Sequence, residues 1–251
     1  MRTKLNWGEN MIFLTSVLGV MAIFTSVISG VVGMAGGIVL LSLMTFFIPL
    51  QHIVPIHGVV QLVSNGSRCF FLRKKIVKEI ALYFFLGAPI GTLGTYFFLS
   101  HISAKAIFYW PIILLILYTL FKPKKMPTLM ISHKNFFFLG LAGGFLAPLI
   151  GATGPLVAPF FLRPDLENEE IVATKACIQM FTHFLKIPLF LSLSFSYAQY
   201  SWVIVSMVVG AIIGTRLGVF LLGKISELLF KRIYQTALFI AVIRLIVKLW
   251  A

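Results

Sequence analysis

Two sets of polar residues interrupt otherwise apolar sequence with the same spacing. His57, Gln61, Asn65 and Arg68 follow intervals of four, four and three, and so do Lys175, Gln179, His183 and Lys186. Residues three and four apart share one face of a helix, so each set forms a polar stripe. Both stripes donate hydrogen bonds and carry positive charge, and neither contains a carboxylate. Such a lining suits a small anion rather than a metal cation or an amine. Charged groups are costly in hydrocarbon, so the stripes should face the interior of a bundle rather than lipid. His57 and Lys175 open their stripes and are expected at helix starts in the headgroup zone. Arg68 and Lys186 close them, either as site cations at the cavity entrance or as long side chains snorkelling from helix ends.

A glycine-rich stretch precedes each stripe. Gly30, Gly33, Gly36 and Gly37 come before the first, and Gly143, Gly144, Gly151 and Gly154 with Pro148 and Pro155 before the second. Glycine and proline break membrane helices, and the freed backbone groups must be satisfied by protein or a water-filled cavity. A helix that restarts at mid-membrane presents unpaired N–H groups and a positive dipole end, which together attract an anion. The expected binding set is therefore Gly33, Gly36, Gly37, Gln61, Asn65 and Arg68 from one region, with Gly151, Thr153, Gly154, Gln179, His183 and Lys186 from the other. Glycines four apart also let helices approach closely, which competes with this reading at Gly33 and Gly37. Close packing is the expected role of Gly87, Gly91, Gly210 and Gly214. Arg216 fits a site or a snorkelling role equally.

The elements that must position these residues are membrane-spanning helices. Of 251 residues, 59% are hydrophobic and 11% charged, whereas soluble domains carry about 25% charged residues. Apolar runs near 11–50, 56–72, 79–99, 104–121, 135–162, 171–195, 200–222 and 227–250 are of the length needed to cross a hydrocarbon core, about 20 residues. All seven acidic residues fall between these runs or at their ends. The net charge of +14 is concentrated partly at Arg73, Lys74, Lys75 and Lys78 and at Lys122, Lys124, Lys125 and Lys134. Short basic loops beside apolar spans are a mark of the cytoplasmic side, so the charge implies a lipid bilayer and no nucleic acid. Cys69 and Cys177 lie inside apolar runs without metal-ligand spacing and are expected as buried thiols. The start of the chain resembles a signal peptide, but a similar segment recurs later, so it is expected to belong to the fold.

That recurrence extends through the sequence. Gly33-Met34-Ala35-Gly36-Gly37 aligns with Gly151-Ala152-Thr153-Gly154-Pro155, and the same offset sets Gln61 on Gln179 and Arg68 on Lys186. After a short gap Gly87–Thr92 aligns with Gly210–Thr215, and Ile102-Ser103 with Ile225-Ser226. The join is the basic, proline-containing loop 122–134. The expected architecture is an all-α, polytopic bundle of about 8–10 transmembrane segments, made of an N-terminal repeat (1–126) and a C-terminal repeat (127–251), each with a glycine-broken helix. An even number of crossings per repeat would make them parallel and an odd number inverted, and the loop charges fit both.

Duplicated membrane units with paired helix breaks are typical of secondary transporters. A passive anion channel is the alternative, and a membrane-embedded enzyme a weaker one, since no Ser/His/Asp constellation, phosphate-binding loop, zinc helix or paired carboxylate is present. The reading requires no cofactor and no metal. The glycine-rich break followed by a polar helix, the Arg68–Lys75 stretch, Leu86–Gly91, Val209–Gly218 and the segment 224–234 together resemble the TauE/SafE sulfite exporter family, also called the toluene-sulfonate uptake permease family. Gly144–Leu162 resembles that family's second glycine-rich motif. The resemblance implies transport of small anions, typically sulfite, sulfonates or related sulfur and carboxylate compounds, across a bacterial cytoplasmic membrane. The coupling ion would be a proton or sodium, with His183 the deep titratable group, and self-association into a homo-oligomer is compatible with this reading.

Overall fold

A computed structural model describes residues 9–32, 36–101, 109–121, 129–161, 163–221 and 239. Gly33 and the segments 122–128 and 224–234 singled out above lie outside them. Among the described residues every regular element is helical. The elements are α1 (Glu9–Val32), α2 (Gly36–Met44), α3 (Leu50–Phe71), α4 (Lys78–Ser100), α5 (Tyr109–Phe121), α6 (Phe136–Ile150), α7 (Gly154–Val157), α8 (Asn168–Ser192) and α9 (Ser201–Phe220), with short 3-10 turns between some of them. Among the described residues three stretches are long and apolar enough to cross a membrane by themselves: Met11–Gly30, Lys78–Ser100 and Ala198–Gly218. The chain is a membrane protein whose described elements are all helices.

Helix pairing follows from the glycines. α1 packs against α9, α4 against α6, and α3 against α8. A Cβ built on Gly87 or Gly91 would stand 2.0 or 1.9 Å from the backbone oxygen of Phe137 or Leu141, and one on Gly140 or Gly144 would meet Phe84 or Ala88 as closely, at 2.2 or 2.0 Å. The two backbones therefore lie in direct contact over two turns. Thr95 adds a bond of 2.6 Å to the Phe145 carbonyl across the same seam. Gly210 and Gly214 do the same for α9 against Gly19 and Ile23 of α1, at 2.4 and 2.2 Å, and Ser206 bonds the Thr15 carbonyl at 2.9 Å. The order of contacts along both seams makes α1 parallel to α9 and α4 parallel to α6. Between α3 and α8 the order reverses, Gly58 facing Lys186 and Gly66 facing Met180, so these two run antiparallel.

The outer helices carry the lipid-facing surface. Leu82, Leu86, Ile90, Leu93 and Phe97 on α4, and Trp202, Val205, Val209 and Phe220 on α9, are large and exposed, in patches far broader than a soluble monomer tolerates. α3 is enclosed instead: Ile53, Val54, Ile56 and Val60 are buried along with its polar stripe. An amphipathic helix with that pattern can sit only inside the ring formed by the apolar ones.

One end of the bundle is basic and ion-paired. Arg73–Lys75 forms the turn after α3, and Lys75 reaches Glu167 at 2.8 Å and Glu169 at 3.4 Å. Glu167 opens α8 with a capping box to Glu170, which satisfies two N–H groups at a helix start. The Lys75 ammonium beside Glu167 holds that carboxyl below its ordinary range, and Arg163 does the same to Asp165. At the other end His52 at the start of α3 is hydrogen-bonded to Tyr200 at the start of α9.

The seams yield a direct test. Gly91→Val should lower the thermal unfolding temperature in detergent, because an overpacked contact costs about 1–3 kcal/mol and here the obstruction is backbone. Gly94→Ala, whose Cβ would meet Phe145 at an ordinary 3.4 Å, should leave it unchanged.

Candidate functional site

The second glycine-rich stretch breaks at Gly151; at the first, α1 ends at Val32 and α2 begins at Gly36, with residues 33–35 outside the described ones, and the ends on both sides lie against the two stripes. α6 ends at Gly151, whose φ of 79° is a left-handed conformation that only glycine adopts without strain. The chain then restarts as α7 with Pro155 in its first turn. On the other side α2 returns alongside α1, since a Cβ on Gly36 would collide with the Thr25 carbonyl at 1.9 Å. The second break touches the element after the first: a Cβ on Gly151 would lie 2.7 Å from the Leu41 side chain.

Between them is a small cavity. It is lined by Ser29, Gly37 and Ile38, by Ala152, Thr153, Gly154 and Pro155, by His57, Gln61, Asn65 and Arg68 of α3, and by Gln179 and His183 of α8. Gln61 stands about 15 Å from either end of α3 at 1.5 Å per residue, half the thickness of a hydrocarbon core. Room for the centre of a water-sized sphere amounts to about 20 Å³, enough for one or two waters.

Each stripe ties its cation to its own helix and to a neighbouring carbonyl. Arg68 donates to the Asn65 Oδ1 at 2.8 Å and lies 3.5 Å from the Ser29 carbonyl in the last turns of α1. Lys186 donates to the Gly151 carbonyl at 2.6 Å, just past the last turn of α6, and its Nζ lies 3.3 Å from His183 Nδ1. Cations at helix C-terminal ends are favoured by the dipole. Asn65 also donates to the Gln61 carbonyl at 2.9 Å, and His57 to the Gly37 carbonyl at 2.7 Å. The imidazoles of His57 and His183 pack edge to face with centroids 5.8 Å apart. By contrast, no hydrogen bond within the described residues engages the side-chain amides of Gln61 and Gln179. Those amides offer donors to whatever fills the cavity.

The expected residues divide as follows. Gly37, Gln61, Asn65, Arg68, Thr153, Gly154, Gln179 and His183 line the cavity, while Gly36, Gly151 and Lys186 support it from one layer behind, and Gly33 lies outside the described residues. Several expectations are corrected. Arg68 and Lys186, 4% and 1% exposed, are enclosed cations and neither snorkel nor guard an entrance. His57 and Lys175 are not in the headgroup zone but buried at 0% and 2%, because α3 and α8 begin well before them and neighbouring helices cover that level. Arg216 is exposed on α9 and belongs to a separate cleft with Ser67 and Phe70. His57 was recognisable from its place in the stripe. Ser29 and Ile38, which also line the cavity, carry no distinguishing signal in sequence.

Chemically the described lining offers the Arg68 cation, amide and hydroxyl donors and no carboxylate. Among the described residues no group of three His, Cys, Asp or Glu could hold a metal. The family described as Sulfite exporter TauE/SafE matches residues 18–245. No curated protein and no solved structure matches the chain.

A buried cation is costly to the empty fold and is retained where a ligand needs it. Lys186→Met should therefore unfold at a temperature no lower than the unmodified protein without anion, and the unmodified protein should show an upward shift with saturating sulfite that the variant lacks. Thermal unfolding in detergent with and without sulfite checks both halves of this expectation.

Proposed function

The chain belongs to the sulfite exporter TauE/SafE family, a family of membrane transporters for sulfur anions, and we propose that it is a secondary carrier moving sulfite or a closely related small anion by alternating access. The observation that carries this reading is the cavity itself: near the middle of α3, lined with donors and a cation and bordered by two amides without a hydrogen bond among the described residues. In this reading the anion is held by the side chains of Gln61, Asn65, Gln179 and His183, by backbone N–H groups at Gly37 and Ile38 and around Thr153–Pro155, and by the field of Arg68 and Lys186.

The carrier is built from two inverted copies, 1–126 and 127–251, in a bacterial cytoplasmic membrane. Support comes from helix directions. α3 and α8, equivalent by the offset that matches Gln61 to Gln179, run antiparallel, as an axis in the membrane plane requires. The glycines of α4 meet α6 as those of α9 meet α1, so each copy lends its fourth long element to the first helix of the other. Rocking of these interlocked halves about the α3–α8 contact would open the cavity first to one side and then to the other, breaking Lys75–Glu167 at one end or His52–Tyr200 at the other.

Counterflow of labelled sulfite in proteoliposomes tests the reading. Saturable exchange is expected, and its absence in folded protein would overturn it. Gln179→Leu and His183→Leu should each leave membrane expression intact. A lost hydrogen bond to a charged group is worth about 1.5–3 kcal/mol, so each should weaken sulfite affinity about ten- to a hundredfold. Unaltered flux in both variants would make the stripe purely structural.

A further inference from the structure

We propose that His57 is the proton carrier of this transporter, taking up a proton on Nδ1 when the anion enters the cavity and releasing it when the anion leaves. The inference rests on the anion-carrier reading and names the coupling ion and the residue that carries it.

The tautomer follows from geometry. His57 Nε2 lies 2.7 Å from the Gly37 carbonyl. A carbonyl accepts and cannot donate, so Nε2 bears the hydrogen, and in the neutral ring Nδ1 is then a bare lone pair. That nitrogen is buried and has no hydrogen-bond partner among the described residues, in a side chain 0% exposed. The second backbone carbonyl facing the ring is that of Gly151, an acceptor as well. The neutral ring therefore meets two acceptors with one hydrogen. The imidazolium, with a hydrogen on each nitrogen, matches both: Gly37 beyond the first break and Gly151 at the second.

The charges around the ring decide when that form exists. Facing it are His183 on α8, with ring centroids 5.8 Å apart, and Lys186, whose ammonium shares the same Gly151 carbonyl at 2.6 Å; Arg68 lines the same cavity eleven residues further along α3. The lining contributed by α1, α2 and the Gly151–Pro155 segment contains no titratable side chain. A further positive charge beside the Lys186 ammonium is repelled in an empty cavity. A bound anion reverses the sign of the local potential, and at such short range in a poorly screened interior the reversal is large. Proton uptake is thus favoured only in the loaded state, which makes anion and proton travel together. His183 is less suited, because its Nδ1 already faces the Lys186 ammonium at 3.3 Å. The step is a simple protonation: an Nδ1–H bond forms with a proton from the side to which the cavity is open, and breaks on the side where the anion departs.

Nitrogen-15 NMR of the full-length protein, labelled at its five histidines and held in lipid nanodiscs near pH 7.5, reads this directly. His57→Gln assigns the His57 resonances; should that variant not fold, His183→Gln and single substitutions of the three other histidines assign them by elimination. Without anion the His57 ring should show the neutral Nε2–H pattern, and saturating sulfite should convert it to imidazolium. In a weakly buffered solution thiosulfate, which stays fully ionised, should bind with uptake of about one proton by the unmodified protein. A His57 ring that stays neutral while a saturable isotherm shows sulfite bound would overturn the proton assignment and leave the anion carrier standing. No saturable binding of either anion by folded protein would overturn both.

Discussion

The absence of water from the hydrocarbon core is the constraint on which this structure depends. A polar group at mid-membrane must find its partner in protein or in a ligand, because lipid offers none. The chain gathers two imidazoles and two amides around that level, with the buried cations Arg68 and Lys186 beside them and the ends of α1 and α6 against them. Every arrangement around them serves to satisfy these groups in part. Arg68 and Lys186 each take a carbonyl near the C-terminal end of a broken helix and a side-chain atom three residues back on their own helix. The Gln61 and Gln179 amides and one nitrogen of His57, which have no hydrogen bond among the described residues, all border the same small space, the arrangement on which the anion-site proposal rests.

Enclosing such a site takes a tight wall. The α4–α6 and α1–α9 seams bring backbones into contact because glycine supplies no Cβ to hold them apart. Without the hydrophobic effect to drive helices together in lipid, close contact and interhelical hydrogen bonds are the remaining sources of cohesion, and Thr95 and Ser206 add the latter. The wall is apolar outside and leaves α3 and α8 free to be polar inside. The glycines at the breaks serve the cavity rather than the wall. Gly151 takes a backbone conformation closed to other residues, and Gly37 keeps its Cβ position clear of the Gln61 amide.

Much of this was legible before any coordinates. Helical class followed from run lengths and charge depletion, the packing role of Gly87, Gly91, Gly210 and Gly214 from their spacing, and the mutual approach of stripes and breaks from their order. The corrected positions have one source. Place within an apolar run does not give burial, and equating the two sets His57 and Lys175 near the headgroups and lets Arg68, which does lie in the last turn of α3, and Lys186 read as snorkelling side chains. Depth is decided by where each helix starts, and α3 begins at Leu50, seven residues before His57, with α8 beginning at Asn168, seven before Lys175. Arg216 stayed undecided for a related reason, since the helix carrying it could turn that face inward or outward with equal periodicity.

By itself the sequence determined which residues must avoid lipid and which can touch one another along a single helix, because periodicity and transfer free energy are local properties. It also shows one spacing of glycines and polar residues at two places along the chain. Only the tertiary structure decided how that pattern is arranged in space: that α3 and α8 run antiparallel, that α4 packs on α6 and α9 on α1, and that Gly37 and the Gly151–Pro155 segment border one cavity. The reason is that helix direction and partner choice depend on contacts between residues over a hundred positions apart, such as Gly58 with Lys186, and a one-dimensional pattern is unchanged when a helix is turned end for end.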